Sequence, residues 1–240
     1  MKIVLRKTSL VDFPGCVSSV IFTSGCNLRC PWCHNRDLVL GNETEELITL
    51  EAGLAHIRKR QPVLGGVVLS GGEPCLLDKL PHLAASIKEL RLKVKLDTNG
   101  LYPAMLEKLF SQEESRPDYI ALDLKIAPAR YGELASTPQA IGLDAKLTES
   151  AALLRASGIA HEYRTLALPN GFISEKDIEA LAPLADGAPW YFRPFRGGNC
   201  LDPAWDDLEA PETGSQSRLK TLTETLAGKA RALGKNGISQ

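Results

Sequence analysis

The chain has 240 residues, 28 of them basic and 29 acidic, giving a net charge of −1; 44% are hydrophobic and 24% charged. This is an ordinary globular composition, long enough to bury a sizeable core. It excludes a global basic field for nucleic acid or anionic lipid, and no apolar run reaches the ~20 residues of a membrane span.

The N-terminal stretch MKIVLRKTSLVDFPG carries charges every few residues and no apolar h-region, so no signal peptide is read and a cytoplasmic location is expected. Six β-branched apolar runs then alternate with helix-period segments. Strands are predicted at 17–23, 66–70, 92–98, 118–125, 161–168 and 190–195. Helices are predicted at 49–60, 78–90, 102–110, 144–158 and 174–185, with a closing C-terminal helix at about 216–233. No linker or composition shift divides the chain, so residues 1–240 read as a single domain with a core at about 15–200. Strict alternation implies an α/β fold with parallel strands and right-handed crossovers. Six units point to a partial (β/α)6 barrel rather than the closed eightfold one. A doubly wound open sheet is the alternative.

The chemically loaded residues fall at the C-terminal ends of these strands, where parallel α/β folds build their sites. GCNLRCPWCHN (25–35) follows the first strand and SGGEP (70–74) the second. DTNG (97–100) ends the third and DLK (123–125) the fourth. Arg164 lies in the fifth, and RPFR (193–196) ends the sixth.

Cys26, Cys30 and Cys33 are spaced C-x3-C-x2-C, and three further cysteines, Cys16, Cys75 and Cys200, stand alone and read as ordinary core or surface residues. In a reducing compartment, clustered cysteines bind metal or do redox chemistry more often than they form disulfides. Structural zinc takes four ligands, and no second C-x2-C pair completes such a site. CPWCH (30–34) matches the c-type haem attachment pattern, and Cys30 with Cys33 matches a thioredoxin-like pair, but each leaves Cys26 unused. Three thiolates on a [4Fe–4S] cube leave one iron open to another ligand. The cluster is the favoured reading, with zinc, haem and a redox pair as alternatives.

C-x3-C-x2-C after the first strand and GGE after the second resemble the radical S-adenosylmethionine (SAM) superfamily. VDFPG, CPWCHNRDL, SGGEP, LDTNG and ALDLK together resemble the activating enzymes of glycyl radical enzymes, over roughly residues 6–200. That resemblance implies a radical SAM core in which Cys26, Cys30 and Cys33 hold a [4Fe–4S] cluster. The open iron would take the amino and carboxylate groups of SAM, and reductive cleavage would give methionine and a 5′-deoxyadenosyl radical. Gly71, Gly72, Glu73 and Pro74 would form the loop approaching the methionyl amino group. Asp97, Thr98, Asn99 and Asp123 would surround the SAM carboxylate, with a monovalent cation between Asp97 and Asp123 or with Lys125 supplying the counter-charge. Arg164 would lie near the methionyl group, Trp32 near the adenine, and His34 with Asn35 would close the cluster loop. Arg196 stands where such enzymes often carry a histidine.

The resemblance further implies a hydrogen taken from a glycine of a partner glycyl radical enzyme, the anaerobic ribonucleoside-triphosphate reductase, and a low-potential electron donor such as flavodoxin or ferredoxin. It implies neither a nucleic acid nor a membrane partner. A radical SAM enzyme acting on a small molecule or nucleobase, and a non-enzymatic metal or c-type haem protein, are the alternatives.

Overall fold

A computed structural model describes residues 1–209 apart from 43, 45, 138, 139 and 186, together with 221 and 230–232. Nine strands form a single sheet: β1 (Lys2–Ser9), β2 (Ser18–Thr23), β3 (Leu47–Thr49), β4 (Gly66–Gly71), β5 (Lys93–Thr98), β6 (Tyr119–Asp123), β7 (Ala160–Ala167), β8 (Trp190–Pro194) and β9 (Ala230–Ala232). Among the described residues six α-helices with defined bounds accompany it: α1 (Arg36–Leu40), α2 (Leu50–Arg60), α3 (Leu80–Glu89), α4 (Pro103–Phe110), α5 (Leu143–Ser157) and α6 (Glu175–Leu181).

The six strands expected from the sequence are the six central ones, β2-β4-β5-β6-β7-β8, and all their pairings are parallel. Their order follows the chain without reversal. A doubly wound sheet needs a switch point where the order turns back; none exists among these strands, and the partial barrel is the architecture found.

Three strands were not foreseen. β1 pairs antiparallel with β2, and the short β3 pairs antiparallel with the outer side of β1. The sheet therefore begins at Lys2 rather than near residue 15. The charges along KIVLRKTS, which argue against a signal peptide, lie mostly on its exposed positions. At the other end Ala230–Ala232 adds to β8 in parallel. The remainder of the helix expected at 216–233 lies outside the described residues, Thr221 excepted, which is helical.

One face of the sheet and the inner stripes of the helices share a single buried cluster. It includes Ile21, Val67, Leu69, Val94, Leu96, Ile120 and Leu122 from the strands, and Ile57, Leu83, Ile87, Leu106, Leu147 and Leu154 from the helices. Helix starts follow their sequence signals. The Thr49 hydroxyl caps α2 by accepting from the Ala52 N–H at 3.2 Å, and Ser174 with Asp177 forms a capping box on α6.

The opposite face lines the barrel lumen, and it is unlike the outer one. At its lower end Phe13, from the loop between β1 and β2, packs on Val20 and Val68. Above them the period-2 alternation brings charged residues inward. In-register neighbours share a face, and the register pairs Lys95 with Tyr119, Asp97 with Ala121, Asp123 with Arg164 and Leu166 with Arg193.

Candidate active site

The cysteine loop leaves β2 at its C-terminal end and is tied down on several sides. Gly25 N–H donates to Leu38 O at 2.7 Å, Arg29 N–H to Leu134 O at 2.7 Å, and Cys33 N–H to Cys30 O at 3.0 Å. The Arg29 guanidinium turns back onto the carbonyls of Cys26 and Leu28. A strap following β8 holds the far side. Asp202 N–H donates to Pro31 O at 2.9 Å, and His34 Nε2 donates to Arg196 O at 2.7 Å. Trp32 is buried between Phe172 and Trp205, with ring centroids 5.1 and 5.4 Å away. So Trp32 is bracketed by aromatic rings while still bordering the cavity, and His34 turns its Nε2 to the strap.

All three thiols of Cys26, Cys30 and Cys33 line one cavity of about 370 Å³ at the top of the barrel. Among the described residues, no three His, Cys, Asp or Glu side chains converge on one point as a mononuclear metal requires. Three soft thiols spread around a cavity suit the corners of a cluster instead. Burial pushes the Cys30 thiol up to about 12, and burial likewise raises Cys26.

The double glycine is explained by the protein itself. Gly71 has φ +124, and a Cβ there would stand 2.2 Å from Thr23 N; a Cβ on Gly72 would stand 1.9 Å from Gly25 O. Only glycine allows this approach. It permits Gly72 N–H to reach Thr23 O at 2.9 Å and Glu73 N–H to reach Gly25 O at 2.8 Å, so the glycine loop is laced to the root of the cysteine loop. Asn35 Nδ2 adds a bond to Gly71 O at 2.7 Å.

Glu73, expected in the cofactor-binding loop, is 1% exposed and faces the protein. Its Oε1 accepts from Cys75 N–H at 3.0 Å and from the Thr98 hydroxyl at 2.8 Å, and its Oε2 from Asn99 N–H at 2.7 Å. Burial nevertheless raises its pKa, against the pull of these donors. Glu73 and Thr98 thus clamp the end of β4 to the end of β5. Pro74 opens a 3-10 turn behind the loop and is not among the residues lining the cavity. Asn99 sends its Nδ2 to Asn27 Oδ1 at 2.8 Å, beside Cys26.

Asp97, Asp123, Lys125 and Arg164 meet as expected, but with a fifth member. Lys95, 1% exposed, lies 2.5 Å from Asp97. Arg164 bridges the two carboxylates, at 3.4 Å from Asp97 and 2.8 Å from Asp123, and Lys125 stands 3.3 Å from Asp123. Burial disfavours the Asp123 charge, yet Arg164 and Lys125 outweigh it and hold the carboxyl down at about 2. The two aspartates are therefore neutralised by protein cations.

The structure brings every candidate residue except Pro74 to this cavity, Asn35 and Arg196 included, and adds Ser70, Leu166, Arg193 and Phe195. Arg193 belongs to RPFR, and its register pairing with Leu166 places it on the lumen face; Phe195 lies just past β8. Lys95 was hidden because LKVKLDT reads as a strand with one solvated face.

The sequence matches the Radical SAM superfamily over residues 20–185. The chain belongs to the radical SAM superfamily. Membership implies a [4Fe–4S] cluster and SAM, and the three thiols on one cavity fit that donor set. Among curated proteins, the chain is 30% identical over 219 residues to a Methanocaldococcus jannaschii protein named "Putative glycyl-radical enzyme activating enzyme", covering 90% of this chain and 88% of that one. It is 34% identical over 123 residues to the pyruvate formate-lyase-activating enzyme of Staphylococcus aureus, spanning about half of each (48% and 49%).

Among solved structures, SuiB of Streptococcus suis bound to S-adenosylmethionine superposes with a TM-score of 0.64 at 15% identity, over 90% of this chain and 50% of SuiB. QueE from Escherichia coli gives 0.51 at 17% identity, over 96% and 90%. At these identities the likenesses establish the fold. No helix among the described residues is long and apolar enough to cross a membrane.

Proposed function

We propose that this radical SAM enzyme is a glycyl radical activase: it cleaves SAM reductively and removes a hydrogen from a glycine of a partner enzyme, the anaerobic ribonucleoside-triphosphate reductase. The carrying observation is that Cys26, Cys30 and Cys33, the glycine loop and the charged lattice border one cavity. The relative matched over nearly its whole length supports the activase branch. When bound, the cluster supplies the electron that splits SAM into methionine and a 5′-deoxyadenosyl radical.

The chain's own residues do the positioning. Cys26, Cys30 and Cys33 would hold three corners of the cluster. Gly71 and Gly72 fix the neighbouring loop, where exposed backbone groups would meet the methionyl amino group. Lys125 and Arg164 keep Asp123 charged, and Lys95 with Arg164 fixes Asp97, so that both carboxylates would face the amino-acid end of SAM. Lys95, Lys125 and Arg164 supply counter-charge, which leaves a monovalent cation between Asp97 and Asp123 little to do. Trp32 and Phe195 offer apolar surface for adenine.

The described residues form a single barrel with edges at β3 and β9 and no separate substrate domain. A partner loop would have to bring its glycine within roughly 3–3.5 Å of the reacting atom. The low-potential donor would be a flavodoxin or ferredoxin, and the whole reaction would be cytoplasmic.

The test is anaerobic reconstitution. We expect about four irons and four sulfides per chain, and loss of both in Cys26→Ala, Cys30→Ala and Cys33→Ala. With a reductant, SAM and the partner, electron paramagnetic resonance should show a glycyl doublet that collapses when the partner glycine carries deuterium at Cα. Stoichiometric zinc in place of iron would sink the cluster reading. Turnover on a free metabolite, with no protein radical, would move the chain to the small-molecule branch of the superfamily.

A further inference from the structure

Asp97 and Asp123 offer four carboxylate oxygens, and each of them faces a cationic nitrogen of the protein. Asp97 Oδ1 lies 2.5 Å from Lys95 Nζ, and Asp97 Oδ2 lies 3.4 Å from Arg164 Nη1. Asp123 Oδ1 lies 2.8 Å from Arg164 Nε, and Asp123 Oδ2 lies 3.3 Å from Lys125 Nζ. The Thr98 hydroxyl is turned to Glu73, donating to its Oε1 at 2.8 Å and accepting from Gly100 N–H at 3.1 Å. A hard metal cation binds by collecting oxygens. The oxygens expected to hold one are already taken, and the three protein cations on them would repel another. These residues do not fit the monovalent ion that the family resemblance implies between Asp97 and Asp123.

Lys95 is the member that occupies such an ion's place. It belongs to β5 itself, two residues from Asp97 and on the same lumen face. It borders a lower cavity of about 180 Å³, and its ammonium reaches the carboxylate that borders the upper cavity of about 370 Å³. The acids around the lower cavity have other partners: Asp12 pairs with Arg6 at 3.0 Å, and Glu162 accepts from the Tyr119 hydroxyl at 2.9 Å. With a side chain only 2% exposed, Lys95 cannot rest its charge on water and rests it on Asp97. An ammonium is a compact point charge of the same sign and size of charge as a potassium ion. Held by the chain, it is present without recruitment from solution.

We propose that Lys95 is a positioning residue that replaces the monovalent cation of the site: its ammonium fixes the Asp97 carboxylate, and SAM binding is independent of potassium and sodium. The inference rests on the reading of this cavity as the SAM site.

The test uses two variants. Lys95→Ala removes the ammonium and leaves room for a small cation, whereas Lys95→Met removes it and refills the room. Cluster-free proteins are unfolded thermally in potassium, methylammonium or tetramethylammonium chloride at equal ionic strength. Wild type and Lys95→Met give the baseline response to salt. Lys95→Ala should gain about 3 °C or more beyond that baseline from potassium or methylammonium over tetramethylammonium. In reconstituted protein, calorimetry follows SAM. Wild-type affinity should hold within about twofold across the salts, while Lys95→Ala should bind about tenfold more weakly in tetramethylammonium and recover most of the loss in methylammonium.

A wild type whose SAM affinity falls about tenfold without potassium or sodium carries an inorganic cation in the site and overturns the proposal. So does a Lys95→Ala protein that answers to neither cation in either measurement. A midpoint that responds while SAM binds as in wild type would make Lys95 a residue of stability alone, and overturns it too. If Lys95→Ala does not fold, Lys95→Met decides: SAM weakened about tenfold in every salt supports the proposal, and wild-type affinity overturns it. A wild-type chain that loads no cluster or binds no SAM fails the reading beneath, while the midpoints still show whether Lys95 holds a cation's place.

Discussion

Arg164 Nε lies 2.8 Å from Asp123 Oδ1, across a register pair that joins the C-terminal halves of β6 and β7. Together with Lys125 it holds Asp123 at about 2. A depressed carboxylate contributes stability that is present above its unfolded value, ~3.9, and is lost as pH falls through the folded value. The Lys125 pKa moves the other way: burial lowers it but Asp123 raises it further, so its contribution is present below ~10.4 and is lost only as pH rises through its raised folded value. The stability gap between wild type and Asp123→Asn should therefore be flat from about pH 5 to 9 and shrink in acid. Denaturant unfolding across pH measures it, and a gap that changes steeply near neutrality would refute this view of the lattice.

Asp97→Asn should destabilise the fold more than its place in a cofactor site suggests. Lys95 has a side chain only 2% exposed, and Asp97 is its ion-pair partner among the described residues. Removing one member of a buried pair costs about 3–5 kcal/mol. Lys95→Met should be milder, since Asp97 keeps Arg164. Equal losses in the two variants would show that burial of Lys95 does not control the site.

Gly72→Ala puts a methyl 1.9 Å from Gly25 O, whereas Gly132→Ala meets nothing within 4 Å. The first should cost about 1–3 kcal/mol and impair cluster loading; the second should be near neutral. Midpoints of chemical unfolding and bound iron per chain would read both. An unchanged Gly72→Ala protein would mean that the two loops separate freely.

Cluster loading should accelerate as pH rises. Burial pushes Cys30 up to about 12 and raises Cys26, so at neutral pH both are protonated thiols. Each must lose its proton before binding iron. Iron uptake by the cluster-free chain should be several-fold faster near pH 9 than near pH 7; a rate that is flat or falls with pH would show that deprotonation does not limit assembly.

Much of this was legible in the sequence where a single period dominates. β4 to β8 each carry buried aliphatic or aromatic residues, and their order follows from alternation with helices. β1 was illegible because Lys2, Arg6 and Lys7 stand exposed along it, which erases the apolar run. The three-residue β3 is too short for any periodic signal. At the site, the motifs announced which residues gather but not what they touch. Glu73 sits in a cofactor motif, yet its bonds are to Thr98, Asn99 and Cys75 of its own chain. Lys95 and Arg193 share the lumen face with Tyr119 and Leu166 through strand pairings that no single sequence window reveals.

The strap that bonds Pro31 and stacks on Trp32 has a consequence for biogenesis. The three thiols emerge from the ribosome with the first strands, while Asp202 and Trp205 follow about 170 residues later. Since synthesis runs from the N-terminus, the cysteine loop must wait, reduced and without its outer wall, through most of translation. Premature iron capture or oxidation is a hazard of that interval, and thiol labelling of stalled nascent chains would show the loop becoming protected only once the strap has emerged.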